Sequence, residues 1–377
     1  MAAVPTRLSR TRARLARTLG LRAAIGLSTM TLLAAVLGTA AVLLVGWTWA
    51  ALVDGDVAHA VAAVVSFLVA LAACALILGW LLAPTAKPDG VRLPRELAEE
   101  LFGLVDRMGK RFGGIRIDAV WVVGDMNAAI LQRPRWGWVG PLETHLMIGL
   151  PLAHSVSRRQ FGAILAHEFA HLAAQRQGLH AWWGHLRAWW FRALDRCIED
   201  MPRLGGMLER WSAGDLRAAM RLSRLEEFEA DAGAAHVVGA QRVGEALVEV
   251  ALKERFLNED YWRKIMEQSR TAPQPLVRPF REMGLGVMAG FRRPEPGPVD
   301  IRDMFGGTAS TADFHPTLAD RLRVLRVDPA VPVCGGESLA TTHLGPILPT
   351  LSWVFDRAWW QDSRRDWRRR YERARRA

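Results

Sequence analysis

Residues 157–178 read Ser-Arg-Arg-Gln-Phe-Gly-Ala-Ile-Leu-Ala-His-Glu-Phe-Ala-His-Leu-Ala-Ala-Gln-Arg-Gln-Gly, and their reading decides the rest of the chain. Ser157 and Gln160 have the spacing of a reciprocal helix cap, and Gly178 offers a left-handed stop, so residues 158–177 are expected to form one helix. Phe161, Ile164, Leu165, Phe169 and Leu172 mark its apolar side. His167 and His171 are four apart and share a face one turn apart. Two imidazoles so placed can hold one zinc ion. Glu168 lies about 100° further round the axis, beside the metal, where a carboxylate can take a proton from zinc-bound water. This H-E-x-x-H pattern fixes only three residue types, and the competing reading is a helix whose histidines are merely hydrogen-bonded. The rest of the chain weighs between the two.

The chain has 377 residues and a formal charge of +11, enough length for two or three structural units with a sizeable core. Residues 1–22 hold six arginines and no acid, and residues 361–377 hold eight arginines against three acids, so the body between them is close to neutral. That distribution argues against a nucleic-acid groove, and for basic ends that touch anionic lipid or stay solvated. Arginine outnumbers lysine 45 to 4, a compositional bias. Cys74, Cys197 and Cys334 are odd in number and far apart, which suggests neither a disulfide framework nor a thiolate cluster.

Residues 23–53 and 57–86 carry no Asp, Glu, Lys or Arg, and each run exceeds the roughly 20 apolar residues needed to cross a bilayer. Asp54-Gly55-Asp56 leaves room only for a tight turn, so the two form a spanning hairpin. The arginine-rich start, with Lys87, Arg92 and Arg95, puts both outer ends in the cytoplasm. A cleaved signal peptide would have a shorter apolar run and no second one. The expected organisation is a basic cytoplasmic N-terminus (1–22), two transmembrane helices (23–84), a catalytic unit (85–330) and a Trp-rich, basic C-terminal segment (331–377).

Pro84–Gly90 reads as a linker. Residues 93–112 are expected to be helical with Leu97, Leu101, Leu104 and Val105 on one side, and Ile115–Val123 to be a strand. After a Gly/Trp-rich loop, His145–Gly149 reads as a short edge strand beside the metal, able to pair with an extended peptide. Residues 179–215 crowd Trp182, Trp183, Trp189 and Trp190 among charges, suiting either an interfacial amphipathic helix or one packed on the domain. Residues 241–270 read as a further helix, and proline-rich 271–300 as a loop or flap. Trp353, Trp359 and Trp360 suit a peripheral helix near lipid.

Zinc held by two histidines needs one more protein ligand and an open position. Ser223–Asp231 supplies a helix on which Glu227 and Asp231 share a face. Glu227 is the preferred third ligand, because the offset lets Asp231 hydrogen-bond the outer nitrogen of a ligand histidine. Glu226 and Glu229 are rivals without such a partner. Farther on, Pro316 suits a first helical turn, leaving His315 at the mouth and Arg321 on the helix, where a cationic group could stabilise an oxyanion. His145, His154, His236 and His343 are left without a role.

Taken in order, His-Glu-Phe-Ala-His at 167–171, Ser-Arg-x-x-Glu-x-x-x-Asp at 223–231 and Phe-His-Pro-x-x-x-x-Arg at 314–321, with Asn127-Ala128 upstream and the N-terminal hairpin, resemble the HtpX-like and CAAX prenyl endopeptidase-like membrane zinc metallopeptidases. The resemblance covers roughly residues 90–330. It implies an α+β, mainly helical gluzincin-like domain with a small sheet and one Zn2+ per chain. It also implies zinc ligands at His167, His171 and Glu227, a general base at Glu168, support of a ligand histidine by Asp231, roles for His315 and Arg321 toward substrate or intermediate, and Asn127 lining the cleft. Glu226 stands where the family often has Arg, Ala129 where it often has Phe, and no further span follows the H-E-x-x-H helix. The expected function is a membrane-anchored zinc endopeptidase on the cytoplasmic side of a bacterial-type inner membrane, acting on unfolded or membrane-derived polypeptide. The alternatives are an inactive scaffold that keeps the fold, and an intramembrane protease. Arg158 and Arg159 before the motif, with Arg176 after it, leave too short an apolar run for the latter.

Overall fold

The computed structural model describes residues 6–135, 141–175, 179–291, 315–328 and 337–376. The expected stop at Gly178, the Trp136–Gly140 loop, Cys334 and the prolines at 294, 296 and 298 lie outside them. The protein is mainly helical, with one small mixed sheet and two apolar N-terminal helices.

Helix α1 (Thr6–Val53) runs unbroken from the arginine-rich start through the first apolar run, and α2 (Val57–Leu81) folds back along it after a turn at Gly55, φ +71°. Both are long and apolar enough to cross a membrane. They meet through small side chains, with Ala34, Ala41, Ala60, Ala63 and Ala70 buried and the Cys74 thiol donating to the Ala34 carbonyl at 3.3 Å. Close backbone approach is how apolar helices associate where no hydrophobic force separates them from lipid. Their outer faces leave Leu32, Val42, Leu43, Val61 and Leu68 exposed.

The sheet has the order β1-β2-β4-β3, formed by β1 (Val91–Leu93), β2 (Ala119–Val123), β3 (Ala128–Pro134) and β4 (Leu142–Gly149). Strands β2 and β4 are parallel, with Val122 opposite Ile148, and β3 returns antiparallel, with Ile130 opposite Leu146. His145–Gly149 is therefore interior, and the edge on that side is β3, a correction to the expected edge strand. Gly149 permits this packing, because a Cβ there would run into the Asp125 carbonyl and lie 2.9 Å from the Asn127 nitrogen. The Gly149 N–H donates to the Asn127 carbonyl at 2.7 Å, pinning the start of β3.

Helix α3 (Glu99–Arg111) is shorter than the expected 93–112 helix. Leu93 belongs to β1, and Leu97 sits on a 3-10 turn and is exposed, since Pro94 breaks the backbone between them. The strand expected from Ile115 starts only at Ala119, residues 115–118 forming an irregular lead-in after the turn through Gly113 and Gly114 (φ +82° and +79°). Helix α4 (Leu150–Ser155) leads into α5 (Arg158–Gln175), whose start carries the expected cap, with the Ser157 N–H donating to Gln160 Oε1 at 2.8 Å. Phe161, Leu165, Phe169 and Leu172 are buried in the main core against α3 and the sheet.

Helices α6 (Leu179–Asp200) and α7 (Pro202–Val238) form a long hairpin against α1. Gly20 and Gly26 of α1 make room for the rings of Trp183 and Trp190, and the Trp189 indole donates to the Leu81 carbonyl at 2.7 Å. These three tryptophans thus pack on α1 and α2, the two apolar helices, and not on the sheet-bearing core as one of the two readings of residues 179–215 has it, while Trp182 is exposed. Arg12 and Arg22 are engaged by Glu229 and Asp215 of α7. Helix α8 (Ala240–Phe256) continues through a π turn (Leu257–Tyr261) into α9 (Trp262–Glu267).

The expected loop at 271–300 is corrected by α10 (Pro279–Phe291), a helix that Pro279 can open and whose interior is free of proline. Short α11 (Leu318–Leu325) is capped by the Thr317 hydroxyl, so Pro316 precedes the cap instead of occupying the first turn. After α12 (Leu339–His343), the chain ends in α13 (Leu348–Arg376). Trp367 is fully buried there and donates to the Ala272 carbonyl at 2.9 Å, and Trp359 stacks on Trp262, so the C-terminal segment is anchored to the domain with only Trp353 of its expected lipid-facing tryptophans exposed.

His154 of α4 lies buried against α10, where Gly284 leaves it space, and its Nε2 has no hydrogen-bond partner among the described residues. Burial lowers it from 6.5 to about 4. The unfolded chain therefore binds more protons between those values, and stability falls as pH drops from about 6.5 to about 4, by up to about 3 kcal/mol. Replacing His154 with Leu is expected to flatten that part of the melting-temperature profile, measured by thermal unfolding in detergent across this window.

Candidate metal centre

Helices α5 and α7 cross where Gly233 faces Ala170. A Cβ added at Gly233 would stand 2.9 Å from the Ala170 Cβ, so this glycine sets how closely the helices approach. One turn from the crossing, His167 and His171 face Glu227. The His167 and His171 Nε2 atoms are 3.1 Å apart, and they lie 3.5 Å and 3.3 Å from the Glu227 carboxylate oxygens. Ligands about 2.0–2.1 Å from a tetrahedral ion are separated by roughly 3.3–3.5 Å, so the donor set has the chemistry and the spacing for zinc. It is the one such group of His, Cys, Asp or Glu side chains among the described residues.

Asp231, one turn past Glu227 and fully buried, accepts from His167 Nδ1 at 2.9 Å. Arg321 reaches over from α11 and grips the same carboxylate with two donors, at 2.6 Å and 2.8 Å, while its third nitrogen is 3.4 Å from Glu227. This fork-to-fork pair fixes Asp231, which in turn orients the His167 ring. Burial pushes both acids up, but the three histidines around Glu227 and the Arg321 charge beside Asp231 outweigh it and hold both below the usual carboxylate range. Burial alone would depress His167, yet its hydrogen bonds to Asp231 and Glu227 lift it to about 9.

Glu168 faces the same cavity. Burial raises its carboxyl above the ordinary value, partly offset by the neighbouring histidines and by a hydrogen bond from the Ile130 N–H of β3. Because Gly149 bonds Asn127 and Arg135 bonds Pro141 across the β3–β4 ladder, the alternate residues Ala128, Ile130 and Gln132 turn their N–H and C=O groups to the open edge. The edge strand thus presents backbone hydrogen-bonding groups beside Glu168.

A cavity of about 250 Å³ is lined by all eight residues singled out in the sequence: Asn127, His167, Glu168, His171, Glu227, Asp231, His315 and Arg321. His315 is largely exposed at the mouth, with Nδ1 3.3 Å from Glu227. Of the rival acids, Glu226 pairs with Arg187 and Glu229 with Arg12, both on the side of α7 turned to α6 and α1. The sequence reading missed the apolar wall. Val243, Ala246, Leu247 and Val250 of α8, at helical spacing, complete the cavity with Met126, Leu152 and Ile164. It also missed the Ile130 amide, a backbone group that side-chain patterns do not reveal.

Residues 144–328 match the model of Peptidase family M48, the family of HtpX-like and CAAX protease-like zinc metallopeptidases. The match assigns residues 144–328 to Peptidase family M48. The M48 segment begins in β4 and ends just past α11, so it holds every singled-out residue except Asn127. M48 membership implies a metal-dependent peptidase. No curated protein and no solved structure matches the chain.

Replacing Asp231 with Ala removes the fork-to-fork partner of buried Arg321, leaving it only the longer Glu227 contact, and leaves His167 without its acceptor. Zinc affinity, titrated against a chromophoric chelator, is expected to fall about 10–100-fold, with marked destabilisation. Replacing Gly233 with Leu is expected to weaken zinc binding at least as much by prising α5 from α7, although it removes no ligand.

Proposed function

We propose that this protein is a membrane-anchored zinc endopeptidase, with residues 85–330 as its catalytic unit on the cytoplasmic side and unfolded or membrane-derived polypeptide as its substrate. The observation that carries the proposal is the convergence of the His167, His171 and Glu227 donor atoms within 3.5 Å of one another, with Glu168 beside them in one cavity. A zinc ion held by those three side chains would supply a Lewis acid that polarises the scissile carbonyl and acidifies water to a pKa of about 7.

The chain's own residues do the rest. An extended substrate pairs with the outer edge of β3, through the backbone groups of Ala128 and Gln132 and the Ile130 carbonyl, next to Asn127, while the Ile130 N–H serves Glu168. This fixes the peptide with little demand on its sequence. The Glu168 carboxylate accepts the proton of the attacking water and returns it to the leaving amine. Its raised affinity for protons, from burial, suits both halves of that transfer. His315, at the mouth, donates to the oxygen that gains charge. Arg321 acts toward the substrate's charge mainly at one remove, since its guanidinium is held by Asp231 and Glu227. The M48 match supports peptide hydrolysis, and α1 and α2 support anchoring. The basic flank at Arg7–Arg22, with Lys87 and Arg92, supports the cytoplasmic side.

Full-length protein in detergent is expected to bind about one zinc per chain and digest casein, with chelator abolishing digestion and zinc restoring it. Replacing Glu168 with Gln should lower turnover by at least about 100-fold while bound zinc, measured by metal analysis, is unchanged. Undiminished proteolysis by that variant would overturn the mechanism.

A further inference from the structure

We infer that this protein holds its cutting site a fixed distance off the bilayer, so that a membrane-attached polypeptide is cleaved only at bonds at least about seven extended residues clear of its own span. The inference rests on the reading as a membrane-anchored peptidase and adds a restriction on its substrates.

The distance is set by α1. Its 48 residues extend for about 72 Å, more than twice the roughly 30 Å of a hydrocarbon core, without a break. Where the hydrocarbon must stop is marked by the tip of the α6–α7 hairpin. The Trp80 indole of α2 donates to Asp200 at 2.8 Å, and Asp195, Arg196, Glu199, Asp200 and Arg203 around that contact are exposed charges. Exposed charges are too costly in lipid, so the core ends at or outward of the level of Trp80. The Cys74–Ala34 contact aligns the two helices, and six residues onward it sets Trp80 level with about residue 28 of α1. Beyond that level α1 still has about 25 residues and α2 about 24, enough to cross the core.

In the other direction α1 continues along α7 toward the metal centre. Arg22 pairs with Asp215, Ala16 and Leu19 enclose Leu222, and Arg12 Nε lies 2.9 Å from Glu229. Glu229 is two residues from both Glu227 and Asp231. From the level of residue 28 to Arg12 is about 16 residues, or about 24 Å along the helix. A usual tilt of about 20° changes this by less than a tenth. Any sideways offset between α1 and the cavity lengthens the path. An extended chain covers about 3.3–3.4 Å per residue, which gives the seven-residue minimum.

The test uses full-length, zinc-loaded protein reconstituted into phosphatidylcholine and phosphatidylglycerol vesicles. Each substrate is a single-span helix, a Gly/Ser spacer of roughly 2, 5, 8, 12 or 16 residues, and a casein-derived segment whose cut bond has been mapped by mass spectrometry in the soluble peptide. Cleavage is expected to be alike for the two longest spacers and at least about tenfold slower for the shortest, with soluble versions lacking the span cut equally at every spacer length. Equal rates in vesicles for the shortest and longest spacers would overturn the standoff while leaving the peptidase intact. Failure to cut the soluble peptides at all would overturn the peptidase reading, and this inference with it.

Discussion

The close crossing of α5 over α7 is the constraint on which the site depends. Gly233 lets the two backbones approach at Ala170. With even a methyl group there, the helices must separate or slide by a few tenths of an ångström or more. The two imidazoles project from one helix and the carboxylate from the other, so their spacing is a property of the helix pair. A rigid crossing buried in a packed core transmits any misfit directly to the donor atoms.

That crossing also brings several charges into a dry place, which the fold tolerates because they compensate one another. Glu227 and Asp231 are surrounded by His167, Arg321 and, at the mouth, His315, and every one of these contacts is within 3.5 Å. Such a set contributes little net stability, because desolvation consumes most of the attraction. What it supplies is direction. The Arg321 fork fixes Asp231, and Asp231 fixes the His167 ring, so that its other nitrogen is aimed at the place where His171 and Glu227 converge.

How much of this was legible in the sequence follows from range. His167, Glu168 and His171 are related by one helix, so spacing alone puts them on one side. The same applies to Glu227 and Asp231, and the choice of Glu227 over Glu226 and Glu229 came from its partner one turn on. The long-range relations were hidden. The sheet order, which makes β3 the edge, depends on which strand β4 accepts as neighbour. The Glu229–Arg12 and Glu226–Arg187 pairs join residues far apart in the chain, and no local pattern marks them. Helix α10 was obscured by prolines on both sides of a segment that has none inside it. The apolar hairpin was plain as two charge-free runs, but nothing in composition indicated that α1 would continue, still helical, along α6 and α7.

That continuation gives α1 two environments in one rod. Its later half is apolar and long enough to cross a membrane, whereas Ala16, Leu19 and Arg12 serve as a missing piece of the wall behind α7, closing over Leu222 and pairing with Glu229. Removing α1 and α2 would therefore not leave the remainder intact. It would strip one flank of the helix that carries Glu227, exposing a greasy seam around Leu222 and taking from Glu229 its Arg12 partner.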